Sequence, residues 1–177
     1  MGRYHPPQPE SSPYITAEGY QYLQDELAGL WRKRAEVVQA LSAAAAEGDR
    51  SENAEYIYRK KELAGCDRRI RYLQKRLPDM QVVRGPPQEQ RRIFFGAWVR
   101  LADVKGSERV YRIVGPDEFD LQQDYISIDS PLARALLKKG VDEAVLVQTP
   151  QGAVMYEMVG ISYAGNVWDS SDNAFSI

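Results

Sequence analysis

Two heptad-spaced seams joined by a short polar turn constrain this chain more than any other feature. Leu23, Leu27, Leu30, Arg34, Val37, Leu41 and Ala44 recur at alternating steps of four and three, and beyond the turn Tyr56, Arg59, Leu63, Cys66, Ile70, Leu73 and Leu77 do the same. Two such stripes on consecutive helices bury their apolar side against each other, which predicts an antiparallel coiled-coil hairpin. At about 1.5 Å of rise per residue, roughly 28 residues per arm makes a rod on the order of 40 Å long. The turn Gly48-Asp49-Arg50-Ser51-Glu52-Asn53-Ala54-Glu55-Tyr56 sets carboxylates at the far end of that rod.

The rest of the chain reads with a different period. Thr16 is a plausible N-cap for the first arm, and Leu77-Pro78-Asp79 ends the second, because proline cannot continue a helical ladder. Arg84-Gly85-Pro86-Pro87-Gln88-Glu89-Gln90 has linker composition. Segments 97–101, 109–114, 125–128, 144–147 and 154–161 read as strands bounded by Gly, Pro and Asp turns. One helix interrupts them from Pro131 to Lys139, with Ser130 as N-cap, Pro131 at the first helical position and Gly140 just past the end. The predicted fold class is α+β. A disordered tail is expected over residues 1–13, the hairpin over 14–80, a linker over 81–92, a small α+β domain over 93–163 and a second disordered tail over 164–177.

Composition narrows the function classes. An apolar fraction of 44% supports a core, while no run of eighteen apolar residues suggests a membrane span. The first nine residues lack the apolar core of a secretion signal, and the single cysteine, Cys66, falls on a seam as a small buried hydrophobe. A cytosolic protein without membrane contact is the expectation. The net charge of −2 conceals a separation of sign: Arg50–Arg76 holds nine basic residues against four acidic, and the chain from Ile93 holds seven against twelve. Such separation suits two surfaces that meet two different partners, although solvated helix faces alone also give it.

Two features carry candidate chemistry, and each has a plainer reading. Asp49 and Glu52 are three residues apart, which suits a capping box at the start of the second arm and also suits two carboxylates sharing a Mg²⁺. Two carboxylates alone hold Mg²⁺ weakly, so such a site needs a second macromolecule to complete it. Lys61, Arg68 and Lys75 repeat every seven residues and Arg71 fills the same stripe. They read either as a solvated flank paired with acids on the other arm or as a line of phosphate contacts. Arg34 and Arg59 sit on the seams, with stems expected across them and guanidinium groups in water.

The tip, the following Tyr58-Arg59-Lys60-Lys61 and Asp67-Arg68-Arg69-Ile70-Arg71-Tyr72-Leu73, and the later Phe94-Phe95-Gly96-Ala97-Trp98-Val99 and Asp124-Tyr125-Ile126-Ser127-Ile128-Asp129-Ser130-Pro131 resemble the bacterial Gre transcript cleavage factors, in particular their GreB branch. The resemblance runs from about Tyr14 to Tyr163. It implies an FKBP-like C-terminal domain and a monomeric transcription elongation factor whose hairpin enters the secondary channel of bacterial RNA polymerase. There Asp49 and Glu52, the matching tip acids, would help hold a catalytic Mg²⁺ shared with the polymerase, which cleaves its own backtracked transcript; the factor itself is not an enzyme. Glu55 would be a supporting charge, and Ser51 and Asn53 would orient the tip. Lys61, Arg68, Arg71 and Lys75 would contact the 3′ segment of the nascent RNA, and the turn Asp129-Ser130-Pro131 would dock on the rim coiled coil of the channel.

The chain departs from many GreB-like sequences in reading Arg34-Ala35 where they place Arg-Pro, and its first arm is about one residue shorter. Gly65 costs the second arm about 1 kcal/mol of helix propensity, and Ala43–Ala46 narrows the distal hairpin. Two other readings compete: a non-catalytic regulator that uses the hairpin to block or modulate the polymerase, and a coiled-coil adaptor carrying an isomerase-like domain.

Overall fold

The first arm forms a single helix, α1, over Ala17–Ala46, and the second, α2, runs over Ala54–Arg76 into a 3₁₀ turn at Leu77–Asp79. These come from a computed structural model that describes residues 11–46, 53–149 and 152–168. The chain divides into two compact units. One is Glu18–Met80; the other joins the segment ending at Ala17 to the chain from Gln81 onward.

In the first unit the seam is the core. Leu23, Val37 and Ala44 of α1 and Cys66, Ile70 and Leu73 of α2 are buried, with Leu77 just beyond, and the remaining seam residues are half-buried. Cys66 is a buried free thiol. The two guanidinium groups expected to reach water are partly exposed and also ion-paired. Arg34 Nε lies 2.6 Å from Asp67 Oδ1 on the other arm, and Arg59 bonds Glu55 at 2.7 Å and Glu62 at 2.9 Å. Arg69 holds Glu26 through two parallel bonds of 2.7 Å, and Lys33 reaches Glu62 at 3.1 Å. Bidentate pairing constrains geometry as well as charge, so the Arg69–Glu26 fork, with the cross-arm Arg34–Asp67 and Lys33–Glu62 pairs, fixes the register of the seam.

The second unit begins with a pairing that linker composition conceals. β1 (Tyr14–Thr16) lies parallel to β2 (Gln81–Val83), with Ile15 opposite Val82. Residues predicted as the start of the hairpin and as linker therefore form a two-stranded sheet of their own. A five-stranded sheet follows in the order β5-β4-β3-β7-β6, made of β3 (Trp98–Asp103), β4 (Glu108–Val114), β5 (Tyr125–Ser127), β6 (Ala144–Thr149) and β7 (Gly152–Ser162). β4 and β5 are parallel and the other neighbours antiparallel. Its inward side chains, among them Val99, Leu101, Ile113, Val145, Val147 and Met158, pack with Ile93, Ala133 and Leu136.

Helix α3 covers only Pro131–Leu136, three residues short of the predicted end. Lys138 takes a left-handed φ of 68°, and its N–H donates to Ile93 O while Lys139 O accepts from Ile93 N. Those bonds to the incoming segment at Ile93 end the helix before Gly140. Part of the segment predicted as a second disordered tail is packed: Trp168 lies so close to Gly160 that a Cβ there would meet its ring at 2.5 Å.

A clasp holds the N-terminal segment to this unit. Glu118 is fully buried; one carboxylate oxygen accepts from Thr16 N at 2.9 Å and Gly115 N at 2.8 Å, the other from the Thr16 hydroxyl. The Thr16 hydroxyl donates to a residue 102 positions away in the chain. Gly115 is required here, since a Cβ would lie 2.1 Å from Tyr14 O. Ser12, expected in a disordered tail, donates its N–H to Asp129 Oδ2 at 2.8 Å. No helix of the described residues is long and apolar enough to cross a membrane.

Candidate functional site

Asp49 and Glu52 lie outside the described residues; what surrounds them bears on their role. The N-cap of α2 is Asn53, whose Oδ1 accepts from Tyr56 N at 3.1 Å. Its Nδ2 donates to Ala44 O at 2.9 Å, so one amide ties the last turn of α1 to the first turn of α2. A side-chain oxygen at the N-cap satisfies one of the orphan donors of a helix start. Asn53 thus performs the N-cap task at the start of α2. Glu55, expected as a supporting charge, is paired with Arg59 one turn on.

Among the described residues no group of three or more His, Cys, Asp or Glu side chains is placed to hold a metal ion.

The basic stripe divides the cations of the hairpin into two kinds. Lys33, Arg34, Arg59 and Arg69 are committed to ion pairs. Their neighbours Lys61, Arg68, Arg71 and Lys75 are exposed, and among the described residues none of them has a carboxylate partner. At about 100° per residue Lys61, Arg68 and Lys75 fall on the side of α2 opposite its seam, and Arg71 lies between them and the seam. The expectation of a flank paired with the other arm therefore fails for these four. The pairing acids are spent elsewhere: Glu62 sits between Lys33 and Arg59, whose hydrogen bonds, that from Lys33 foremost, hold its carboxyl below the ordinary 4.5. Glu62 correspondingly raises Lys33, and Glu55 with Glu62 raises Arg59.

The turn Asp129-Ser130-Pro131 folds as a helix start. Ser130 Oγ accepts from Ala133 N at 3.2 Å with Pro131 at the first helical position. Asp129 N donates to Ser127 Oγ at 3.1 Å, while its carboxylate takes the Ser12 N–H and lies 3.9 Å from Arg134. Pro131 is exposed, and Asp129 and Ser130 are half-buried. Nothing local in the sequence signals the Ser12 and Glu118 contacts, because their partners are distant in the chain. The exposed Trp31 went equally unread, as it stands one residue off the seam.

Two family models together span most of the chain: the transcription elongation factor N-terminal domain over residues 13–82 and the GreA/GreB C-terminal domain over residues 88–163. Transcription elongation factor GreB of Pseudomonas aeruginosa is 54% identical over 164 residues, covering 92% of this chain and 98% of that protein. GreB of Xanthomonas axonopodis pv. citri is 54% identical over 166 residues, covering 93% and 99%. Among solved structures, GreA factor homolog 1 of Thermus thermophilus aligns over 84% of this chain and 97% of its own, at 25% identity and a TM-score of 0.39.

Proposed function

Because the chain belongs to the GreA/GreB family of transcription elongation factors, we propose that its hairpin enters the secondary channel of RNA polymerase and stimulates the polymerase's own cleavage of backtracked RNA. The chain would act in the cytoplasm, as a monomer, without catalysing cleavage by itself. The observation that carries this reading is the cap at Asn53. Asn53 caps the start of α2 and ties it to the last turn of α1, next in the chain to the turn that carries Asp49 and Glu52.

Asp49 and Glu52 would present two hard oxygen donors where the polymerase and the transcript supply the others. A bound Mg²⁺ supplies charge to the oxygens of phosphodiester hydrolysis. The chain's own tasks are positional. Ion pairs along the two arms keep the hairpin in register. The stripe of Lys61, Arg68, Arg71 and Lys75 faces the extruded 3′ segment of RNA, where unpaired cations gain by releasing counterions. The turn Asp129-Ser130-Pro131 anchors on the channel rim and raises the effective concentration of the tip inside the channel.

The test is direct. The protein is added to a stalled, backtracked elongation complex and the RNA is resolved by length. Shortened transcripts that remain extendable support the reading. Binding that slows the polymerase with no shortening would favour a non-catalytic channel regulator.

A further inference from the structure

Beside the stripe, the two arms enclose a groove of about 320 Å³ lined by Trp31, Arg34, Asp67, Ile70, Arg71 and Gln74. Trp31 is 47% exposed, an unusual position for the largest apolar side chain on a thin rod. Its ring is not loose. The Arg34 guanidinium stands 5.9 Å from the ring centroid and is itself held by Asp67 at 2.6 Å. Arg71 is one turn beyond Asp67 on α2, and Gln74 follows three residues later, so these three share a face. Arg71 also belongs to the stripe, three residues from Arg68 and four from Lys75. A line of unpaired cations therefore runs into a groove floored by Ile70 and walled by an exposed indole.

We infer that this groove binds one nucleobase of single-stranded RNA, stacked on Trp31, with Arg71 taking the adjoining phosphate. The inference rests on the reading of the stripe as an RNA contact and adds a site to it. Aligned cations beside an aromatic platform are what a single strand needs, since every base has a π-face and every linkage a charge. A protein partner fits less well, because burying the unpaired Arg71 in an interface is costly without a matching carboxylate. The site accepts all four bases, because stacking on an indole does not depend on a hydrogen-bond pattern.

The full chain carrying Trp98→Phe and Trp168→Phe leaves Trp31 as its sole indole. Titration with a single-stranded RNA of about ten nucleotides is expected to quench its emission, with oligo(U) and oligo(A) alike. Trp31→Ala weakens binding of that RNA about tenfold, and Trp31→Phe by much less. Trp31→Ala leaves the salt dependence of binding intact, whereas Lys61→Ala, Arg68→Ala and Lys75→Ala together flatten it. If the triple variant loses RNA while Trp31→Ala binds as the parent does, the base site is refuted and the stripe reading stands. If neither set of changes matters, both fall. Loss of affinity in Trp31→Ala for polymerase holding no RNA would make the groove a protein contact and overturn the inference. Crosslinking of 4-thiouridine at the RNA 3′ end in a backtracked complex gives a second readout: label is expected on Trp31 or Arg71, and label confined to other residues refutes the site.

Discussion

Replacing Glu118 should loosen the N-terminal segment from the second unit, and the size of the effect follows from the clasp. The side chain is fully buried and serves three donors, two of them backbone N–H groups. Glu118→Ala leaves Thr16 N and Gly115 N buried without an acceptor, at about 1–3 kcal/mol each, so a loss of about 3 kcal/mol is a moderate value. For a unit near 100 residues this lowers the melting temperature by roughly 12–24 °C. Glu118→Gln keeps an oxygen for both backbone donors and loses only charge assistance, which costs about 1 kcal/mol, or roughly 4–8 °C. Near-ultraviolet circular dichroism follows this unit through its tryptophans Trp98 and Trp168, with Trp31→Phe removing the hairpin's signal. A melting temperature of Glu118→Ala within about 2 °C of the parent would refute the clasp as a stabilising contact.

Asn53→Ala removes both the cap and the bond to Ala44, together about 2 kcal/mol at the distal hairpin; Asn53→Asp keeps the cap acceptor and should lose about half as much. Hydrogen exchange of the first turn of α2 separates them, and equal protection in all three proteins would contradict the two-bond role. Asp129→Ala and Pro131→Ala should raise the factor concentration needed for half-maximal cleavage without lowering the saturated rate, measured by titration against a backtracked complex. Glu62, depressed by Lys33 and Arg59, stabilises the hairpin above about pH 4.5, and that contribution is lost as the pH falls through its lower folded value. Helix melting between about pH 7 and pH 3 should therefore drop less in Glu62→Gln than in the parent.

The hairpin was legible because its signal is periodic: Leu23, Val37, Cys66, Ile70 and Leu73 recur at helical spacing and are buried where that spacing puts them. What pairs across the arms was not legible. Arg34 looked like a residue reaching for water because its partner Asp67 lies on the other helix, and periodicity states which face is inward without giving the register of charges. The strands from Trp98 to Ser162 announced themselves by alternation and turn residues. β1 and β2 did not, since three residues show no period and the pairing spans the whole hairpin. Glu118 sat in an ordinary Gly-Pro-Asp-Glu turn; its burial is set by Thr16, which no local pattern connects to it. At the tip the spacing of Asp49 and Glu52 fitted a cap as well as a metal, and the N-cap that the structure shows is Asn53.

The central claim is that the tip acids act through their charge. Asp49→Asn and Glu52→Gln preserve size and remove the charge that a hard cation requires. Cleavage of backtracked RNA, measured at saturating factor with binding to the complex checked in parallel, should be nearly abolished by each while binding persists. Full cleavage by the double variant would contradict the account.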